Sequence, residues 1–167
     1  MKILGVDPGL RITGYGVVSV PDGFSFHRSI DLIEAGVIRT ETRMGIAARL
    51  RRLHDGLSEV ISEFKPDILA IEKLYTHYKH PTTAILMGHA RGVVCLLSGT
   101  SSIPLVSVAS THVKKAVTGR GHASKLQIQR MVQHYLGLKK PLEPFDMADA
   151  LAVAIAHAFS LKRKERD

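Results

Sequence analysis

The first forty residues alternate between apolar and polar positions in a way that predicts three strands. Ile3 to Asp7 is a short apolar run, and Thr13 to Val20 alternates until a Pro-Asp-Gly turn signal. A third run of this kind covers about Ile30 to Thr40. Short connections with Gly and Pro favour pairing between successive strands, so we expect an antiparallel meander.

The rest of the chain alternates between helical and strand patterns. In Met44 to Phe64 apolar residues recur every three or four positions, until Lys65-Pro66 ends the helix. Asp67 to Glu72 follows as a strand with apolar residues on both faces, typical of the centre of a partly parallel sheet. The remaining predictions are a helix over Pro81 to Leu97, a strand over Ile103 to Val108, and helices over Ser110 to Val117, Ala123 to Leu136 and about Pro144 to Leu161. Strands followed by alternating helices and strands predict an α/β fold with a mixed sheet.

Composition agrees with a folded domain. The chain has 167 residues, 45% of them hydrophobic, and no low-complexity tract, so we expect one domain over residues 1–167 in which only 162–167 form a frayed basic tail. The single cysteine, Cys95, excludes a disulfide framework and lies in the apolar run VVCLL, where we expect it to be buried. No uncharged apolar stretch of about 18 residues is present, so we expect a cytoplasmic protein without a membrane span.

The charge distribution gives information about partners. The formal net charge is +8 and the pI is near 9.8, which suits a polyanionic ligand, although a basic protein without such a ligand is the alternative. Between Ala109 and Leu142 every charged residue is basic. These residues are Lys114, Lys115, Arg120, Lys125, Arg130, Lys139 and Lys140. Charge of one sign within a folded region favours nucleic-acid binding.

Two of the predicted strands end in an acid. ILGVD ends in Asp7 and ILAIE ends in Glu72. The functional crevice of an open α/β sheet lies beyond the carboxyl ends of its central parallel strands, so both acids face this crevice if the two strands are neighbours. An ionised carboxylate there costs roughly several kcal/mol unless a cation pairs with it. Taken alone, Glu72 is also compatible with a surface position on an edge strand.

Two further acids lie three residues apart at the start of the last predicted helix. PFDMADALAVAIAH places Asp146 and Asp149 on one face of its first turns. A negative charge near a helix N-terminus is favoured by the helix dipole, and this alone would explain Asp146. It explains Asp149 less well, because that residue lies between two alanines in a stretch that must be mostly buried. Together the four acids predict a site for hard divalent cations such as Mg²⁺.

Other chemistries fit the sequence less well. None of the nine histidines has the spacing of a zinc motif, and the G-x-S-x-G sequence of serine hydrolases is absent. The segment GRGHASK, Gly119 to Lys125, is a Gly-containing turn that leads into a helix. Its free backbone N–H groups and its lysine favour a phosphate site.

Five segments in order resemble the RuvC family of bacterial Holliday junction resolvases. They are ILGVDPGLRITGYGVV, AIEKLY, HARGV, HVKKAVTGRGHASK and DMADALAVAIAH, and the match spans Ile3 to His157. The resemblance implies a ribonuclease H-like fold, a mixed five-stranded sheet flanked by helices on both faces. It also implies a homodimeric, Mg²⁺-dependent endonuclease that nicks two strands of a four-way DNA junction symmetrically and acts with the RuvA and RuvB branch-migration proteins. We expect two Mg²⁺ ions per active site, with Mn²⁺ able to substitute.

The family's functional residues can be carried over by motif. Its acidic set falls on Asp7, Glu72, Asp146 and Asp149. Its phosphate-contacting lysines fall on Lys114 and Lys125, and we expect Lys115 and Arg120 in the same basic stretch to contact DNA as well. The aromatic residue that stacks on bases at the junction centre is Tyr75, where relatives often have phenylalanine. Some relatives have histidine at the position of Asp146.

The helix over Pro81 to Leu97 is the expected dimer contact. A stripe of small residues that lets another helix approach closely is formed by Ala84, Gly88 and Gly92. A two-fold dimer would present two identical sites to the two equivalent strands of a junction. The open alternative is that the helix packs on the protein's own sheet through Ile85, Val93 and Leu96.

Two other functions compete with junction cleavage. An ATP-binding domain of the actin and sugar-kinase type also opens with an apolar strand, Asp and a Gly turn, but it needs two domains to enclose the nucleotide. A junction-binding module without catalysis is disfavoured because all four acids are present. We therefore expect two-metal hydrolysis of phosphodiester bonds, giving 5′-phosphate and 3′-hydroxyl ends, with Asp7 bridging both ions.

Overall fold

The structure is a computed structural model that describes residues 1–21, 30–73 and 81–164. The strands in these residues are β1 (Lys2–Asp7), β2 (Ile12–Ser19), β3 (Asp31–Arg39), β4 (Ile68–Glu72) and β5 (Leu105–Val108). The helices are α1 (Ile46–Phe64), α2 (Pro81–Thr100), α3 (Ser110–Thr118), α4 (Lys125–Tyr135) and α5 (Phe145–Lys164). Each lies where the hydrophobic pattern predicts it. The largest shifts are at the ends of α2 and α5, each of which continues three residues beyond its predicted end.

The strands form one mixed sheet in the order β3-β2-β1-β4-β5. Strands β1, β2 and β3 pair antiparallel, which confirms the predicted meander. Strand β4 pairs parallel with β1 on one side and with β5 on the other. The strand that ends at Glu72 is therefore internal, as its two apolar faces predict, and an edge position for Glu72 is excluded.

Helices cover both faces of the sheet, because successive side chains of a strand point to opposite sides. On one face Ile3 of β1 joins a core made with α3, α4 and α5. On the other face Leu4 and Val6 join a core made with α1 and α2. The predicted α/β architecture, a five-stranded mixed sheet between two helical layers, is confirmed.

Helix α5 lies unusually close to the sheet, and glycines allow this approach. A Cβ on Gly5 of β1 would overlap the backbone carbonyl of Ala150. A Cβ on Gly14 of β2 would overlap the backbone carbonyl of Asp146. Because these strand positions have no side chain, the acidic first turns of α5 come directly against the carboxyl end of β1.

The exposure of Cys95 contradicts the sequence prediction. The core side of α2 is formed by Ala90, Val94 and Leu97, which are buried at a spacing of four and three residues. Cys95 follows Val94 by one position, which rotates its side chain by about 100° around the helix axis, away from the core. It is therefore exposed, and the apolar run VVCLL is not buried all round.

Two predicted features fall outside the described residues. Tyr75 belongs to the segment 74–80, and residues 165–167 of the predicted frayed tail follow the end of α5. Within the described ranges, no helix combines the length and apolar character needed to cross a membrane.

Candidate active site

Asp7 and Glu72 lie side by side at one edge of the sheet. In the parallel register of β1 and β4, Val6 is paired with Ile71, so the two acids are the next residues on neighbouring strands. Both acids point to the α5 face, because side chains two residues apart on a strand share a face. Gly5, two residues before Asp7, lies against α5, and Ala70, two residues before Glu72, belongs to the core on that face. The parallel pairing thus places two carboxylates at the carboxyl ends of the central strands.

Helix α5 adds Asp146 and Asp149 to the same edge. Asp146 is in the first turn of the helix, where its backbone meets Gly14, the residue paired with Asp7. Asp149 is largely buried, with 19% of its side chain exposed. It lies one turn further on, and its carboxylate interacts electrostatically with those of both strand acids. The structure therefore brings together the four acids that the sequence predicts as a site.

The crowding of negative charge is visible in the pKa of Asp7. Burial, reinforced by the carboxylates of Asp149 and Glu72, raises the pKa of Asp7 from 3.8 to about 7. Lys125 opposes this rise, but it does not cancel it. Without a cation, the ionised form of Asp7 is therefore much less favourable than that of an exposed carboxyl group.

The pKa of Glu72 is also raised. Burial is the main cause and Asp149 adds to it, whereas a hydrogen bond from the Ser110 side chain lowers the pKa. Lys114 and Lys125 lower it further through their charges. Both strand acids are thus in surroundings in which an additional cation would stabilise the ionised carboxylates.

Lys125 is a cation in direct contact with the acids. Its Nζ donates to Asp149 Oδ2 at 3.0 Å, and this contact raises the pKa of the lysine. Lys125 is the first residue of α4, and its helix start is held by a capping box between Ser124 and Gln127. The GRGHASK segment therefore places Lys125 in contact with the acids, although 69% of its side chain remains exposed.

The donor set fits a hard divalent cation. Carboxylate oxygens are the ligands that Mg²⁺ uses, and the raised pKa of Asp7 marks a site where a cation would relieve repulsion. No three His, Cys, Asp or Glu side chains within residues 1–21, 30–73 and 81–164 are already grouped closely enough to hold a metal ion. Metal binding here would therefore draw the acids together and compete with Lys125 for Asp149.

The remaining residues of the basic stretch lie further from the acids. Lys114, on α3, is partly buried and acts on Glu72 through its charge. Lys115, the next residue, and Arg120, just after the C-cap Gly119, are exposed. Neither side chain has a hydrogen bond or ion pair with the acids in the described part of the chain.

Sequence reasoning assigned no role to Arg91. From α2 its Nη1 donates to the backbone carbonyl of Glu72 at 2.6 Å, and its Nη2 donates to Ser107 Oγ of β5 at 2.7 Å. Arg91 thus holds the ends of β4 and β5 together directly behind a site acid. HARGV is one of the segments that carry the family resemblance, but only the fold shows what its arginine contacts.

The outer side of α2 is open and carries exposed apolar side chains beside polar ones. A Cβ added to Gly88 or Gly92 would meet no other atom within 4 Å. Ile85 and Leu96 are 61% and 57% exposed, although Val93 packs against the core. The alternative in which these three residues pack on the protein's own sheet is therefore wrong for Ile85 and Leu96.

The architecture and the acids at its edge define the class: an α/β protein of the ribonuclease H-like type with an acidic centre. Residues 3–157 match the family model described as crossover junction endodeoxyribonuclease RuvC, and the chain belongs to the RuvC family of crossover junction endodeoxyribonucleases.

Individual relatives agree with this assignment. The crossover junction endodeoxyribonuclease RuvC of Rhodopirellula baltica is 46% identical over 153 residues, which is 92% of this chain and 83% of the relative. A Thermus thermophilus RuvC structure superposes with a TM-score of 0.88 at 32% identity, covering 98% of this chain and 97% of the other. T. thermophilus RuvC in complex with a Holliday junction substrate gives a TM-score of 0.86 at 29% identity, with 98% and 96% covered.

Proposed function

We propose that this protein resolves Holliday junctions in recombination and repair by cutting two DNA strands symmetrically. The observation that carries the proposal is the meeting of four carboxylates at one sheet edge in a chain of the RuvC family. The relative from T. thermophilus was solved with a Holliday junction as its substrate, which supports the same substrate here. Cleavage gives 5′-phosphate and 3′-hydroxyl ends.

Asp7, Glu72, Asp146 and Asp149 would hold Mg²⁺, two ions per site, with Mn²⁺ as a substitute. When bound, the ions would supply an activated water on one side of the phosphorus and stabilise the leaving 3′ oxygen on the other. Asp7, at the end of the central strand between the other acids, is the residue we assign to both ions. The raised pKa of Asp7 supports this role, because a bound cation would favour the ionised carboxylate.

The lysines would neutralise the DNA backbone around the cut. Lys125, which donates to Asp149 in the protein alone, would pass to a phosphate oxygen when DNA and metal are bound. Lys114 lies on the same side of the acids, and Lys115 and Arg120 would extend the contact outwards. Tyr75 is assigned to base stacking at the junction centre by the family resemblance.

We further propose that the working unit is a two-fold homodimer joined along the outer side of α2. The exposed Ile85 and Leu96 and the open glycines support this contact, because a second helix could cover the two apolar side chains and approach closely at the glycines. A single domain over residues 1–167, a cytoplasmic location and cooperation with RuvA and RuvB are predictions that follow from the sequence and the resemblance.

Nicking of a synthetic four-way junction tests the proposal. With Mg²⁺ the wild type should cut two opposed strands, and DNA ligase should reseal the nicks because the ends are a 5′-phosphate and a 3′-hydroxyl. With Ca²⁺, whose coordination is looser, it should bind but not cut. Asp149→Asn should bind and not cut in either ion. A wild type that binds junctions and never nicks them would make the protein a non-catalytic binding module.

A further inference from the structure

A group of arginines lies at the same edge of the sheet as the acids. It is on the β2 and β3 side of β1, away from Lys114. Arg11, Arg39 and Arg52 line one open depression of about 540 Å³ between the start of β2, the end of β3 and helix α1. The proposed metal site and the basic stretch 109–142 do not include these residues. Three arginines around one depression form a concentrated positive surface, which we call the arginine surface.

The register of the sheet gives its distance from the acids. Strands β1 and β3 both pair antiparallel with β2, so their carboxyl ends share one edge. Asp7 is paired with Gly14, whereas Arg39 is paired with Ile12, two residues nearer that edge. Two strand spacings of about 4.8 Å and two residues of about 3.3 Å place the Cα atoms of Asp7 and Arg39 about 12 Å apart. At about 3.4 Å per nucleotide, this is a span of about three to four nucleotides.

The guanidinium groups of Arg11 and Arg39 are available. Both residues are exposed, and within the described residues neither guanidinium has a hydrogen-bond or ion-pair partner. Arg52 is also exposed and donates through Nε to the backbone carbonyl of Arg39 at 2.7 Å, so within the described residues its two terminal nitrogens remain available for a ligand. One acid, Glu41, also lines the depression, and it is already paired with Arg43.

The backbone beneath these side chains is held by hydrogen bonds. Arg49 donates from Nη2 to the carbonyl of Leu10 and from Nε to Thr40 Oγ1, each at 3.0 Å. The backbone N–H of Thr40 donates to the carbonyl of Arg11 at 3.1 Å. A ligand would therefore have to order only the arginine side chains, which lowers the entropic cost of binding.

We propose that Arg11 and Arg39, assisted by Arg52, bind the phosphate backbone of a DNA arm on the side of the cut opposite to Lys114 and Lys125. A guanidinium pairs with phosphate oxygens through two parallel hydrogen bonds. DNA continues on both sides of a scissile phosphate. The acids lie between the arginine surface on one side and Lys114 and Lys125 on the other, so both continuations would meet positive charge. The inference rests on the proposed function, since it assumes that the scissile phosphate lies at Asp7.

Junction binding by two double variants tests the arginine surface. Arg11→Ala/Arg39→Ala removes the two unpaired charges. The matched control, Arg51→Ala/Lys65→Asn, removes two exposed charges that lie outside the depression and leaves the pair of Glu41 with Arg43 intact. Affinity for a labelled four-way junction is measured by fluorescence anisotropy in Ca²⁺ over a range of salt. The first variant should bind roughly tenfold more weakly, and its negative slope of log K against log salt should become less steep by about 1.8. The control should change the slope much less.

Neutral backbone linkages locate the contact along the DNA. Single methylphosphonates, each removing one phosphate charge, are placed one to eight nucleotides on either side of the cut. On one side of the cut, methylphosphonates about three to four nucleotides away should weaken junction binding by the wild type. The same linkages should leave the affinity of Arg11→Ala/Arg39→Ala unchanged. If both double variants lose equal affinity, or the first stays as sensitive as wild type to every linkage, the arginine surface does not bind DNA. A wild type that neither binds nor nicks junctions would instead overturn the proposed function itself.

Discussion

Replacing Asp7 with asparagine tests whether the candidate site is a centre of unfavourable negative charge. The pKa of Asp7 is raised from 3.8 to about 7 by burial and by the carboxylates of Asp149 and Glu72. A pKa difference of about 3 corresponds to about 4 kcal/mol, at 1.36 kcal/mol for each pH unit. This is the upper limit of the stability that the folded protein loses by keeping Asp7 ionised without a cation.

The loss has a definite dependence on pH. Below about pH 4 the carboxyl is protonated in the folded and the unfolded chain, so the substitution removes no penalty. Between about pH 4 and pH 7 the unfolded chain releases the proton first, and wild-type stability falls as the pH rises. Above about pH 7 the full penalty is present. Asp7→Asn should therefore raise the free energy of unfolding by an amount that grows from pH 4 to pH 7 and then stays constant.

Urea denaturation in EDTA at pH 5 and pH 8 measures this effect. Asp7→Asn should be more stable than wild type at pH 8 by about 2 to 4 kcal/mol, with a smaller gain at pH 5, and should not nick junctions. Asp31→Asn is the matched control, because Asp31 is exposed at the opposite edge of the sheet. Excess Mg²⁺ should stabilise the wild type more than Asp7→Asn. Equal stability of Asp7→Asn and wild type at both pH values, or an equal gain in Asp31→Asn, would refute the reasoning.

Four further predictions follow from single contacts. Gly14→Ala should reduce nicking at least tenfold while junction binding persists, because its Cβ would displace the backbone of Asp146; binding and rate are measured on one junction. Arg91→Gln should lower the nicking rate and the apparent Mg²⁺ affinity, measured by metal titration, and a loss of stability alone would contradict its positioning role. Lys114→Ala should make the negative slope of log K against log salt less steep by about 0.9, and an unchanged slope would show that Lys114 does not contact a phosphate. Gly88→Leu should give monomers by sedimentation equilibrium, and a fully dimeric variant would exclude α2 as the interface.

Much of the candidate site could be predicted because local patterns encode which strands are buried. An apolar run on both faces requires an internal strand, so hydrophobic patterning alone predicts that Asp7 and Glu72 lie at the carboxyl ends of central strands. The alanine-rich face of α5 likewise requires close packing on the sheet. Its two acids, at the start of that face, then have to lie near the ends of the same strands.

Local patterns did not decide the orientation of α2. Ile85, Cys95 and Leu96 are as apolar as the residues that the helix buries, yet all three are exposed. Which side of an apolar helix faces the core depends on the packing partners, here β1, β4 and α1, and not on the helix sequence alone.

The amino-acid sequence by itself determined the order of strands and helices, the burial of the central strands and the identity of the four acids, because hydrophobic periodicity is a local property of the chain. Tertiary structure alone decided three contacts: Lys125 with Asp149, Arg91 with the end of β4, and the meeting of Arg11, Arg39 and Arg52. Charged surface residues follow no periodicity, and their partners are far apart in the chain. Only the pairing of strands and the docking of helices brings such residues together.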